Sequence, residues 1–160
     1  MPITWAGLPV MTELAESACV FCGIANGLEP ACVVYQDKLV MAFMDTNPVT
    51  TGHVLIIPKL HHPSLSNVPR ATGSHVFVVA QGVAAAIRRS GVRCEGINLF
   101  VADGAAAFQE VFHFHMHVFP RFVGDTFRIQ ADWSVHPARE ELDRTAELIR
   151  AAMNDPGDQR

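Results

Sequence analysis

Three histidines stand at alternate positions in "VFHFHMHVFPR", residues 111–121: His113, His115 and His117. An imidazole can ligate a metal, carry a proton near neutral pH, or attack an electrophile. In an extended chain, side chains alternate faces. Phe112, Phe114, Met116 and Val118 would then share an apolar core face, and the histidines would share the other. At about 3.3 Å per residue, His113 and His115 lie roughly 6.6 Å apart and can share a metal, whereas His113 and His117 lie roughly 13 Å apart. One ion therefore does not use all three, and the comb divides its tasks. A solvent-facing stripe is the plainer alternative. Such stripes usually carry Thr, Lys or Glu, and adjacent rings repel one another once protonated.

Other residues near the comb in sequence can serve the same chemistry. Asn98 precedes it on an apolar run, and Gln109 lies four positions before His113. Amide side chains can hold a phosphate oxygen or orient an imidazole. Gly104 and the alanines after it form a small-residue loop through which backbone N–H groups can approach an anion. "CVFC" supplies Cys19 and Cys22 in a C-x-x-C spacing, which by itself is compatible with a redox pair or with chance.

These residues need elements to position them. "ACVVYQ" (31–36) and "LVMAFM" (39–44) read as a hairpin with a two-residue turn at Asp37 and Lys38. "DTNPVTTG" is a loop by composition, and "HVLIIP" (53–58) is a third strand. Residues 74–90 suit a helix ending near Gly91, and "GINLFVA" (96–102) suits a fourth strand. The histidine segment, 111–119, is the fifth strand and is expected to be central. Residues 137–153 form an amphipathic helix, and a short helix is expected from Thr12 towards Ala18. The pattern predicts an α+β domain with a mainly antiparallel five-stranded sheet and flanking helices.

The bulk properties bound the function. The 160 residues are 49% hydrophobic and 18% charged, enough for one well-packed core. The formal net charge is −4, and Lys38 and Lys59 are the only lysines, so no bulk field attracts nucleic acid. No apolar stretch reaches the length of a membrane span. The first residues lack the basic start and apolar run of an export signal. A reducing, cytoplasmic setting is therefore expected, with Cys19, Cys22, Cys32 and Cys94 as thiols rather than disulfides.

Taken together, "FMDTNPVTTGHVLIIPKLHH", "GIN…DG…Q" and "HFHMHVFPR" resemble, in that order, the histidine triad (HIT) family of nucleotide hydrolases and transferases, in its zinc-bearing bacterial-type branch. The resemblance covers Cys19 to Arg121. It implies a domain that pairs into a homodimer with a continuous sheet. It implies that His115 attacks the α-phosphorus of a nucleotide, forming a nucleotidyl-histidine that is later cleaved. His117 and His53 match the flanking histidines near the phosphate and leaving group. Asp45 matches the acidic position that accepts from ribose hydroxyls. Asn98 and Gln109 match phosphate-site amides, and Phe43, with Phe21 and Ile24, matches an apolar base slot. Zinc-bearing relatives complete the C-x-x-C with two histidines that align with His61 and His113, giving a structural Zn site of two thiolates and two imidazoles. His62 is the alternative to His61.

The chain departs from the family's pattern in places. Asp103 and Phe108 stand where members often carry asparagine and glycine. Glu110 stands where some carry a hydroxyl that contacts phosphate. Trp133 and His136 match no motif.

The expected function is a nucleotide hydrolase or nucleotidyl transferase acting on phosphoramidates, adenylates or dinucleoside polyphosphates, and releasing an AMP-type purine monophosphate. The alternative is a non-catalytic nucleotide- or partner-binding module. A catalytic zinc on His113 and His115 is disfavoured. The expected organisation is a tail over 1–12, a HIT domain over 13–125 and a C-terminal extension over 126–160.

Overall fold

The run before Pro58 is apolar at every position because it is covered on both faces, and it forms the middle strand of the sheet. In the computed structural model, residues 19–154 are described. The chain divides into two compact units, one ending at Phe127 and the other beginning at Arg128. In the first unit the elements are α1 (Val20–Ala25), β1 (Val33–Gln36), β2 (Val40–Met44), β3 (Val54–Pro58), α2 (Arg70–Arg89), β4 (Gly96–Phe100) and β5 (Met116–Arg121). The sheet has five strands in the order β1-β2-β3-β5-β4, every pair antiparallel. The second unit contains α3 (Arg139–Met153), whose first turn carries Glu140 and Glu141. That placement of acids suits the positive end of the helix dipole. The helix expected before Ala18 and the expected tail lie outside the described residues. Among the described residues, no helix is long and apolar enough to cross a membrane.

Each face of the sheet has its own apolar core. Val76, Val79, Ala80, Val83, Ala84 and Ile87 recur at helical spacing on α2 and pack on Val40, Ala42, Val54, Ile56 and Val118. On the other face, Phe21 of α1 packs with Met41, Phe43, Leu55 and Ile57. The pairings Phe43↔Leu55, Leu55↔His117 and His117↔Phe100 run in register across that second face. They put His117 on the α1 side of the sheet.

The histidine segment departs from expectation in three ways. The ladder starts at Met116, so His113 and His115 precede the strand rather than sit in it. The chain there bends tightly: the His113 N–H donates to the Val111 carbonyl at 2.9 Å, and the Phe114 N–H donates to the His62 carbonyl. Phe112 is consequently 54% exposed, outside the core that Phe114 joins. The segment is also not central, since β5 lies between β3 and β4. A strand with imidazoles on one face cannot be apolar on both, which the middle position requires here.

Smaller differences have local causes. The hairpin turn spans three residues, because Asp37 accepts from the N–H groups of both Leu39 and Val40, and its own N–H donates to the Val40 carbonyl. Helix α2 begins at Arg70, four residues before the expected start, directly after Pro69. Strand β4 stops at Phe100 and β1 starts at Val33. Helix α1 was not expected from the sequence.

Candidate active site and zinc cluster

Cys19, Cys22, His61 and His113 converge, with one ligand atom from each lying within 4.8 Å of the others. Cys19 and Cys22 flank Phe21 at the start of α1, His61 follows β3, and His113 leads into β5. Cys22 Sγ lies 3.3 Å from His61 Nδ1 and 3.5 Å from His113 Nδ1, and Cys19 Sγ lies 3.4 Å from His113 Nδ1. With Zn–S about 2.3 Å and Zn–N about 2.05 Å, the sulfur–nitrogen edge of a tetrahedron is about 3.5 Å. The observed edges fit that figure. The N–H at Nε2 of His113 donates to the Pro58 carbonyl at 2.8 Å, leaving Nδ1 as the lone-pair nitrogen facing the thiols. Burial pushes the His113 pKa down to about 4; the Pro58 carbonyl opposes this, and His61, His115 and His62 reinforce it. The ring is thus neutral, as a ligand must be. His62 is excluded from the cluster, and its carbonyl instead receives the Phe114 N–H.

Beside this cluster lies a cavity of about 560 Å³. Its walls include Phe21 and Ile24 of α1, Phe43, Asp45, His53, His115 and His117. The N–H at Nδ1 of His115 donates to the His113 carbonyl at 2.7 Å. In the neutral ring, Nε2 then holds the lone pair. The Val49 N–H points at His53 Nδ1 at 3.3 Å, so that nitrogen accepts. His53 Nε2 therefore carries the proton and donates to His117 Nδ1 at 2.9 Å. By elimination, neutral His117 carries its proton on Nε2 as a free donor. Burial, then the His115 and His53 rings, pushes the His117 pKa down to about 4, against an upward pull from Asp45. His53 is shifted down as well, first by burial; Asp45, 3.3 Å from its Nδ1, opposes this and His115 adds to it. The site thus sets the Nε2 of His115, whose Nδ1–H is spent on the His113 carbonyl, beside a His117 ring that bears a donor at its own Nε2.

The loop carrying Asp45 and His53 is held shut from several sides. The Asp45 N–H donates to the His53 carbonyl at 3.0 Å, and Thr50 Oγ1 donates to the Pro120 carbonyl at 2.7 Å. Gly52, directly before His53, has φ +95°, and a Cβ there would meet Val92 Cγ1 at 2.8 Å. Only glycine fits at that position.

Residues 26–124 match the HIT domain family. The chain belongs to the HIT family. It is 46% identical over 110 residues to a HIT-like protein of Borreliella burgdorferi, a match covering 68% of this chain and 79% of that one. It is 38% identical over 116 residues to adenylylsulfatase HINT3 of Arabidopsis thaliana, covering 70% of this chain and 56% of that protein. Among solved structures, a zinc-bound histidine triad family protein from Mycobacterium smegmatis matches with a TM-score of 0.68 at 40% identity, covering 85% of this chain and 99% of that one.

Two residues that the HIT resemblance assigned to the phosphate site are placed elsewhere. Asn98 is not on the cavity wall; its Oδ1 accepts from Arg121 Nη1 at 2.6 Å. Arg121 in turn forms a two-point pair with Asp125 at 2.7 and 2.8 Å, so Asn98 belongs to a polar clasp at the end of β5. Gln109 is 5% exposed and spends its amide on the loop. Its Oε1 accepts from the Gly104 N–H, and its Nε2 donates to the Pro63 and Val111 carbonyls. It shapes the turn that delivers His113 rather than lining the cavity. Ala102, Phe100 and Phe119 line the wall instead, and periodicity alone did not mark them. Phe108 and Glu110 stand at the mouth. Phe108 is 85% exposed with φ +66°, a conformation that costs a non-glycine residue about 1–2 kcal/mol.

Proposed function

We propose that this HIT protein is a nucleotide hydrolase or nucleotidyl transferase that works through a covalent intermediate on His115. One observation carries the reading: the 2.7 Å bond from His115 Nδ1–H to the His113 carbonyl leaves Nε2 as the lone-pair nitrogen on a cavity wall. In the first step Nε2 attacks the α-phosphorus, forming a P–N bond as the bond to the leaving group breaks. The electron pair of the broken bond leaves on that group, and the proton on His117 Nε2 neutralises it. In the second step water, or another acceptor, gives its proton to His117 and attacks phosphorus, releasing a nucleoside monophosphate and regenerating His115. Asp45, Phe43 and Ile24 line the cavity; in this reading Asp45 accepts from ribose hydroxyls, and Phe43 and Ile24 hold a purine. Phosphoramidates, adenylates and dinucleoside polyphosphates are the substrate classes, and the adenylylsulfatase relative supports an adenylyl group.

Zinc at Cys19, Cys22, His61 and His113 would supply a closed structural clip, and no chemical step passes through it. Its thiolate ligands accord with a reducing, cytoplasmic location. Leu99 and Phe100 on the edge strand β4, and Phe77 and Val78 on α2, are exposed apolar residues suited to pairing a second copy into a homodimer. The HIT domain of this reading spans 13–125, with 126–160 as an extension.

His115→Asn tests the reading. It should bind AMP as the wild type does and fail to turn over adenosine phosphoramidate or adenosine 5′-phosphosulfate. Turnover within tenfold of wild type sinks the assignment. Light scattering checks the dimer.

A further inference from the structure

We infer that Phe21, the residue enclosed by the C-x-x-C, is a positioning residue that transmits the order of the zinc clip to the ring of His115. The inference rests on the reading of His115 as the nucleophile. Phe21 is 7% exposed and makes three edge-on ring contacts: with His115 at 5.2 Å and 79°, with His113 at 5.9 Å and 74°, and with Phe43 at 5.6 Å and 68°. The His115 ring also meets the His117 ring at 4.8 Å and 66°. The attacking ring therefore has two aromatic neighbours and one hydrogen bond at Nδ1.

The single hydrogen bond sets where Nδ1 points. It does not by itself stop the ring from tilting about the Nδ1···O axis, which would swing Nε2 off line. The edge contact from Phe21 opposes that tilt. In-line attack tolerates little misplacement, since about 1 Å can cost two orders of magnitude in rate.

Phe21 can act in this way only if it is itself fixed. Helix α1 has six residues and includes Gly23, far short of the length at which a helix is stable alone. Beyond its packing with Met41, Phe43, Leu55 and Ile57, what would fix it is the pair of ligands in the same turn, Cys19 and Cys22. His113 closes the circuit, offering its ring to the cluster and its carbonyl to His115. Zinc therefore reaches the nucleophile by two routes, one through the His113 backbone and one through Phe21.

Phe21→Leu tests the second route, because it keeps an apolar side chain and removes the ring edge. The zinc-loaded Phe21→Leu protein should hold one zinc per chain. Its kcat should fall at least tenfold with KM changed less than threefold, and the ¹⁵N and ¹³C ring resonances of His115 should move at fixed pH. A kcat within twofold of wild type with unmoved His115 resonances overturns the inference. So does a raised KM at unchanged kcat, which would make Phe21 merely a wall of the nucleoside slot. Should the variant lose zinc, wild-type protein decides. A nuclear Overhauser contact between the Phe21 and His115 rings must be present with zinc and vanish on chelation while contacts within β2 and β3 persist. Absence of that contact in the zinc-loaded protein overturns the inference. Turnover by His115→Asn would instead remove the reading on which it rests.

Discussion

Stripping the metal from the Cys19, Cys22, His61 and His113 cluster should free α1 and leave the sheet folded. The seven residues Cys19–Ala25 cost about 1–2 kcal/mol each to order, roughly 7–14 in all. What they bury is limited: Phe21 at 7% exposure contributes about 3 kcal/mol, and half-buried Ile24 about half as much. The deficit, about 3–10 kcal/mol, is within the roughly 10–16 kcal/mol that structural zinc supplies in small domains. The core between α2 and the opposite face of the sheet contains no residue of α1, so it does not depend on that term.

Hydrogen exchange read by mass spectrometry, before and after a strong chelator, checks the argument. Amides of 20–26 and the Phe114 amide should lose protection, while α2 and β3 keep theirs. Cys22→Ser should reproduce the pattern without chelator, and both treatments should abolish turnover. Retained protection in 20–26 after metal loss would refute the balance drawn here. Equal loss throughout α2 and β3 would show that the two cores are not separable.

Other outcomes follow from single residues. Gly52→Ala should destabilise the fold by about 2–3 kcal/mol and lower kcat, since it adds a Cβ at φ +95° against Val92 and Pro120; chemical denaturation measures the first effect. Burial raises the pKa of Asp37, but hydrogen bonds from His75, the Val40 and Leu39 N–H groups and Tyr35 more than offset it, and the carboxyl titrates well below the usual range. A depressed carboxylate stabilises the fold above its unfolded pKa, near 4, and that contribution is lost as pH falls further. Asp37→Asn should therefore cost on the order of 1 kcal/mol at pH 7, after solvent screening, and progressively less below about pH 4. Glu110 brings a carboxylate to the cavity mouth, so Glu110→Gln should lower KM for a dinucleoside tetraphosphate about fivefold, roughly 1 kcal/mol of screened repulsion, and leave KM for a phosphoramidate nearly unchanged. Equal changes for both substrates would argue against a charge effect.

Much of the architecture was legible because its signals are local. Apolar residues at 76, 79, 80, 83, 84 and 87 can share one stripe only on a helix, and the unbroken run before Pro58 suits a strand covered on both sides. Cys19 and Cys22 mark a C-x-x-C whose partners the pattern alone leaves open; the family resemblance supplied His61 and His113 as the other two donors. Alternation of imidazoles implied that the comb divides its tasks.

Tertiary structure decided which ring does which task, because a hydrogen-bond partner is chosen among groups that distant parts of the chain bring together. The Pro58 carbonyl fixes the tautomer of His113, and Val49, reached through the closed loop before His53, fixes the tautomers of His53 and His117. The same selection took Asn98 to Arg121 and Gln109 to three backbone groups, although their amides look equally suited to phosphate in the sequence. Residue type sets what a side chain can bond to. Only the packed fold sets which partners arrive first and how much capacity is left for a ligand.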